Sequence, residues 1–156
     1  MKITAIGIIA LLVAGVPAIA CSQTEMPQAE YLNSPQMAKL NLPFSEAVRV
    51  GNVLYLSGVL GNVPGTTRVV PGGIEAETRQ TLENMRAILE QNGSSLDRVF
   101  ICTVMLADMA EWPKMNATYA TFFPGHFPAR SAMGVNGLAL GARVEIQCNA
   151  TVGAGK

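Results

Sequence analysis

One histidine, three scattered cysteines and only 14% charged residues leave this 156-residue sequence short of the groups that most metals and polymers require. A zinc or iron centre needs several His, Cys or carboxylate ligands close together, and no such spacing occurs, so no metal site is expected. Basic and acidic residues number eleven each. A nucleic-acid backbone would therefore meet no excess of positive charge to displace its counterions. No G-x-S-x-G elbow accompanies His126, which sits in a Gly-His-Phe-Pro turn, and this argues against a serine hydrolase. The length suits one domain, assembled with copies of itself.

The long apolar stretch is confined to the amino terminus. Lys2 is the only charge before Glu25, Ile3 to Val16 is small and apolar throughout, and Pro17-Ala18-Ile19-Ala20-Cys21 follows. This is the pattern of a signal peptide over residues 1–20, too short for a comfortable membrane span. It predicts export to the periplasm or beyond, with Cys21 either a plain first residue after cleavage or a lipid-bearing anchor. Residues 21–36 are polar with Pro27 and Pro35 and read as a flexible tether ahead of a domain over 37–153. Cys102 and Cys148 lie in strand-like runs. An oxidising compartment would let them pair, but the composition around them favours free thiols packed as small hydrophobes.

Glu46 to Val50 and Val53 to Leu60 read as an antiparallel pair around a Gly51-Asn52 turn. Residues 61–73 form a loop holding a short edge strand at Thr67 to Val70. Leu82, Met85 and Leu89, flanked by Ile74, Thr78, Thr81 and Ile88, recur at helical steps until Asn92-Gly93. Val99 to Ala107 is apolar at nearly every position, with Val99, Ile101 and Met105 on one face and Phe100, Cys102, Val104 and Leu106 on the other. Such a strand is covered on both sides. Pro113 opens a second helix whose stripe of Trp112, Met115, Tyr119, Phe122 and Phe123 is core. Arg130 to Val135 is a short strand, and Arg143 to Val152 a long one with strict alternation. The order predicts an α+β domain with both helices on one face of the sheet. The other face then meets sister subunits in a closed homo-oligomer.

Two residues stand out chemically. Arg130 follows a stiff Pro turn at the mouth of a strand, where its planar fork could grip a carboxylate through two parallel hydrogen bonds; a surface arginine or a structural ion pair is the plainer reading. Glu145 lies mid-strand on the polar face, either solvated and paired with Arg143 or, if a neighbouring subunit closes that face, a general base or water-holding group.

Around these residues YLSGVLG (55–61), ETRQTLENMRAILEQNG (77–93), MNATYATFF (115–123), FPARSAMGV (127–135) and ARVEIQCNA (142–150) resemble the RidA family, also called YjgF/YER057c/UK114. The likeness runs from Tyr31 to Val152. It implies a chorismate-mutase-like fold, a homotrimer with a central barrel, and ligand clefts between subunits. It also implies hydrolysis of enamines and imines of the 2-iminobutanoate and 2-iminopropanoate type to 2-keto acids and ammonia, without a cofactor. On that resemblance Arg130 clamps the substrate carboxylate, helped by the Ala132 amide; Glu145 activates water; Ser57, Asn116 and Phe44 line the cleft. Phe44 stands where the family commonly has Tyr, Val59 follows Ser57-Gly58 where Gln is usual, and Ala132 replaces a frequent Cys. These departures keep open a non-catalytic binder of small carboxylates, and the Met-containing, low-charge composition and the tether keep open a chaperone-like interaction protein.

Overall fold

A computed structural model describes residues 26–153; the expected leader and Cys21 lie outside them. The chain builds one mixed sheet from β1 (Ala29–Leu32), β2 (Ala47–Val50), β3 (Val53–Leu56), β4 (Val59–Leu60), β5 (Val99–Leu106), β6 (Ala129–Gly134) and β7 (Val144–Thr151), with helices α1 (Pro35–Lys39), α2 (Gly73–Gln91) and α3 (Trp112–Ala120). The strand order is β1-β2-β3-β7-β5-β6, with β4 also paired to β7. β5 and β6 run parallel; among the described residues every other strand pairing is antiparallel. The expected α+β architecture with both long helices against one sheet face is what forms.

The helices follow from their apolar spacing. Ile74, Thr78, Thr81, Leu82, Met85 and Leu89 are all buried along one side of α2. The two buried threonines satisfy their hydroxyls on the preceding turn, donating to the carbonyls of Ile74 and Glu77 at 2.6 and 2.8 Å, and so can face the core at little cost. Gly93, at φ 75°, ends the helix in the left-handed region that a side chain resists. In α3, Met115 and Tyr119 are buried, as are Phe122 and Phe123 just past its end. Trp112, expected in the same stripe, is 41% exposed, because the first turn of α3 overhangs the core.

Several expectations need correction. The stretch read as a tether over 21–36 includes β1, which pairs with β2 from Ala29↔Val50 to Leu32↔Ala47. Ser34 caps α1 through its hydroxyl, Pro35 starts the helix, and the Ser34 amide donates to the Glu46 carboxylate. The polar composition concealed these local bonds. The single strand expected over Val53 to Leu60 is broken at Ser57-Gly58. The register with β7 changes there from Tyr55↔Asn149 to Val59↔Ile146, so four residues oppose three and one is extra, a β-bulge. A second irregularity, between Val99 and Ile101, turns Val99 inward with Cys102, Val104 and Leu106. Phe100 and Ile101 are left 43% and 42% exposed, so this chain alone does not cover β5 on both sides. The edge strand expected at Thr67 to Val70 is reduced to one bridge, Asn62↔Val69.

Cys102 and Cys148 are joined in a disulfide rather than free. They face each other directly across β5 and β7 with Cα atoms 4.1 Å apart, a register that alternation along each strand could not disclose. The bond closes a separation of 46 residues, which chain-entropy arguments value at about 4 kcal/mol. Thiol labelling in denaturant should leave Cys102 and Cys148 unmodified until a reductant is added, and melting in reductant should fall by roughly 10 °C or more. Labelling of both cysteines without reduction would show the pair to be open.

Candidate functional site

The residues singled out from the sequence fall into two groups. The first gathers at the bulge between β3 and β4. Ser57 donates its hydroxyl to the Ser45 carbonyl at 2.7 Å and its amide to the Glu46 carbonyl at 3.0 Å, which holds the chain in its kink. Gly58 then passes so close to β7 that a Cβ at this position would fall 1.7 Å from Oε1 of Glu145. Only glycine leaves room for that carboxyl group. Glu145 itself is fixed in register between Leu60 of β4 and Met105 of β5 and is half-buried. Burial pushes its carboxyl above the usual carboxylate range, so the proton is held more tightly than by a solvated glutamate.

Phe44, Ser57 and Gly58 line one wall of a cavity of about 540 Å³, closed elsewhere by Met37, Leu40 and Ile88. Two of its polar neighbours are already engaged. Asn84 donates to the carbonyls of Leu60 and Asn62 at 3.0 and 2.9 Å, and Glu46 accepts from Ser34. What remains free toward the cavity is largely apolar, and Phe44 adds ring surface without a hydroxyl.

The second group lies across the sheet. Arg130 and Ala132 sit on β6, opposite Cys102 and Val104 of β5, and both are half-buried on the side covered by helices. The Arg130 guanidinium carbon stands 4.7 Å from the centre of the Tyr119 ring. Among the described residues no carboxylate forms an ion pair with Arg130; the ion pairs involve Arg49, Arg86 and Arg143. Asn116, one turn before Tyr119 on α3, has a buried Oδ1 with no hydrogen-bond partner, and the Tyr119 hydroxyl is likewise buried and unpartnered. Burial pushes the Tyr119 phenol up to about 12, with the Arg130 charge pulling the other way, so the hydroxyl stays protonated at neutral pH.

Within one chain the structure does not bring these groups together. Arg130 aligns with Cys102 and Glu145 with Met105, an odd number of steps along β5, so the two side chains leave opposite faces of the sheet. Arg143 is not the partner of Glu145 either. It is held by Glu111 and by Glu77, whose Oε2 accepts the Arg143 amide at 2.7 Å.

Two contributors were overlooked in the sequence. Gly58 carries the signal of a glycine inside a strand pattern, which marks a bulge or a close approach. Tyr119 is legible in the sequence only as a core aromatic; its step of three from Asn116 on a helix is the signal that the two lie on one side of α3.

The chain is similar to known proteins over most of its length. The family model described as Endoribonuclease L-PSP matches residues 36–152. A mouse protein named 2-iminobutanoate/2-iminopropanoate deaminase is 41% identical over 111 residues, covering 71% of this chain and 82% of its own. Reactive Intermediate Deaminase A, chloroplastic, of Arabidopsis thaliana is 43% identical over 110 residues, 70% of this chain; the match spans only 59% of that relative. The crystal structure of RidA from an Antarctic Psychrobacter superposes with a TM-score of 0.68 at 35% identity, covering 71% of this chain and 89% of that one. The match across most of the chain, the shared sheet and helix layout, and the FPARS strand and the glutamate strand on either side of β5 together place this protein in the RidA (YjgF/YER057c/UK114) family.

Proposed function

We propose that this protein is a hydrolytic deaminase of imines and enamines derived from amino acids, releasing 2-keto acids and ammonia. The observation that carries the reading is a half-buried arginine with no carboxylate partner among the described residues, in a chain 41% identical to a protein named as such a deaminase. Arg130 takes the substrate carboxylate in a bidentate grip, and Asn116 offers its unpartnered oxygen to the substrate nitrogen. The Glu145 carboxylate removes a proton from water as the oxygen bonds to the imine carbon and hands that proton to the nitrogen, which becomes an amino group and leaves Glu145 ionised again. The resulting carbinolamine collapses: its hydroxyl proton returns to Glu145, which passes a proton to the departing nitrogen, and the C–N bond breaks to give keto acid and ammonia. The imine carbon is already electrophilic, so orientation and one proton relay supply the acceleration.

The site is completed between copies of the chain. Arg130 and Glu145 leave opposite faces of one sheet, and the face carrying Glu145 exposes Tyr55, Ile101 and Met133, an apolar surface suited to burial against a sister subunit. A homotrimer around a central barrel, as the family resemblance implies, would bring Arg130 of one copy to Glu145 of the next. Export is supported by the disulfide, which persists in oxidising compartments. The neutral composition supports a small metabolite over RNA, despite the endoribonuclease label of the family model.

Arg130→Ala should lower kcat/KM for freshly generated 2-aminoacrylate by about a hundredfold or more, the loss expected for a buried charge-assisted pair. Keto-acid release at the wild-type rate would refute the assignment. Calorimetric binding of a 2-keto acid with no turnover in the wild type would instead select the non-catalytic binder, a reading favoured by Phe44, whose ring offers the cavity no hydroxyl.

Gly58→Ala should abolish turnover by displacing the Glu145 carboxyl while leaving carboxylate binding at Arg130 in place, read by comparing initial rates with keto-acid affinity. The acidic limb of the pH–rate profile should lie above the range of an ordinary glutamate, since the reactive form is the ionised one and burial disfavours it. The stability sign is the reverse: a raised folded-state pKa favours the fold at low pH, and that contribution is lost as pH rises through it. Glu145→Gln should therefore be inactive yet melt higher than wild type at neutral pH, with the gap closing in acid.

Co-refolding Arg130→Ala with Glu145→Gln in equal amounts tests the shared cleft. Random assembly restores about a quarter of the clefts, because each half is intact in half of the copies. Zero recovery from a mixed oligomer would place the whole site within one chain.

A further inference from the structure

The sheet fixes only the backbone of Arg130. Its register opposite Cys102, itself tied to Cys148, settles where the Cα lies on β6. The long side chain beyond it has several rotatable bonds, and holding them still for a ligand costs conformational entropy. An ion pair with a protein carboxylate could order such a side chain, but it would occupy the very N–H groups needed for a ligand. Among the described residues Arg130 has no such pair.

What it has is an aromatic face. Tyr119 is 3% exposed, and its ring lies 4.7 Å from that of Phe123, which supports it from within the core. The guanidinium carbon of Arg130 stands over the same ring. A cation over an aromatic face is attracted by the ring quadrupole and gives up none of its five donors in the plane. The ring is confined because α3 packs against α2 and its neighbour Met115 is fully buried. The Tyr119 hydroxyl makes no hydrogen bond among the described residues, so it does not pull the ring elsewhere.

We propose that Tyr119 is the positioning residue of Arg130: its ring face holds the guanidinium plane at the edge strand, leaving the fork of N–H groups open for a carboxylate. The identity of that carboxylate rests on the deaminase reading; the pairing of ring and guanidinium does not. The acting group is the ring, and the phenol oxygen is dispensable to it.

Three variants separate these roles. Tyr119→Phe keeps the ring and should leave KM, and the affinity for 2-oxobutanoate by calorimetry, within about twofold of wild type. Tyr119→Leu removes the π face and should raise KM and weaken 2-oxobutanoate binding about tenfold, with kcat at saturation little changed. Melting curves check that it folds. If it does not, Tyr119→Met, unbranched and able to fill the space, takes its place with the same expectation. A structural readout runs alongside: the Arg130 side-chain proton resonances, shifted upfield by the ring in wild type and in Tyr119→Phe, should move to ordinary values in the Leu or Met variant. Unchanged resonances in a folded Leu or Met variant would overturn the proposal, as would a loss in Tyr119→Phe equal to that in Tyr119→Leu. If the wild type deaminates no imine and binds no keto acid, the functional reading fails while the resonances still decide the positioning role.

Discussion

Alternation along the β5–β7 pair governs where every functional side chain points. Cys102, Val104 and Leu106 face Cys148, Ile146 and Val144 beneath the helices, and their neighbours face away. The disulfide and the helix-facing core hold this register, and a slip by one residue would send Glu145 into the core and Ile146 out of it. β6 inherits the same parity through its parallel pairing, which delivers Arg130 to Tyr119 and Ser131 to the open face. The two irregularities in the sheet are therefore consequential. The one at Phe100 brings Val99 into line with the core, and the one at Ser57-Gly58 turns the chain so that glycine meets Glu145.

Polar satisfaction distinguishes framework from site. Glu77 is buried, yet it accepts the Arg143 amide and lies beside the Arg143 side chain, so its charge is answered at the start of β7. Gly61 passes against the backbone of Glu77, where a Cβ would come within 2.6 Å of the carbonyl oxygen, and this locks β4 to α2 just beyond the Leu60–Glu145 register. These contacts set the frame and leave nothing over. Asn116 and Tyr119 are different: each keeps a buried polar atom without a partner among the described residues, and the Tyr119 ring lies against the arginine that has no carboxylate. Leaving such atoms unmet costs about 1–3 kcal/mol each, and for the Asn116 oxygen that cost is recovered where a ligand or water supplies the missing bond.

Much of this was legible in the sequence. The period of α2, the capping glycine after it, and the alternation of β7 are local signals, and local signals survive in a one-dimensional reading. Arg130 and Glu145 were recognisable by residue type and by resemblance to a family. What escaped depends on pairing. β1 has no pattern of its own and exists because β2 offers it an edge. The disulfide follows from two strands aligning Cys102 with Cys148 across 46 residues. The exposure of Phe100 reflects a single inserted residue that a count of alternate positions cannot detect. Tyr119 was visible as an aromatic core residue, but its contact with Arg130 joins a helix to a strand that follows it through a loop.

A site divided between two faces also accounts for its own electrostatics. Glu145 already resists ionisation through partial burial, and covering the open sheet face with another copy would deepen that resistance. A carboxyl buried so would stay protonated and could not act as a base. The same assembly that removes water from Glu145 is the one that would carry an arginine to it, and a nearby positive charge favours the ionised form. Arg130 is suited to that task because aromatic stacking, rather than a carboxylate of its own chain, holds it in place. The opposition of faces that separates Arg130 from Glu145 thus leaves no single side of one chain holding both charges.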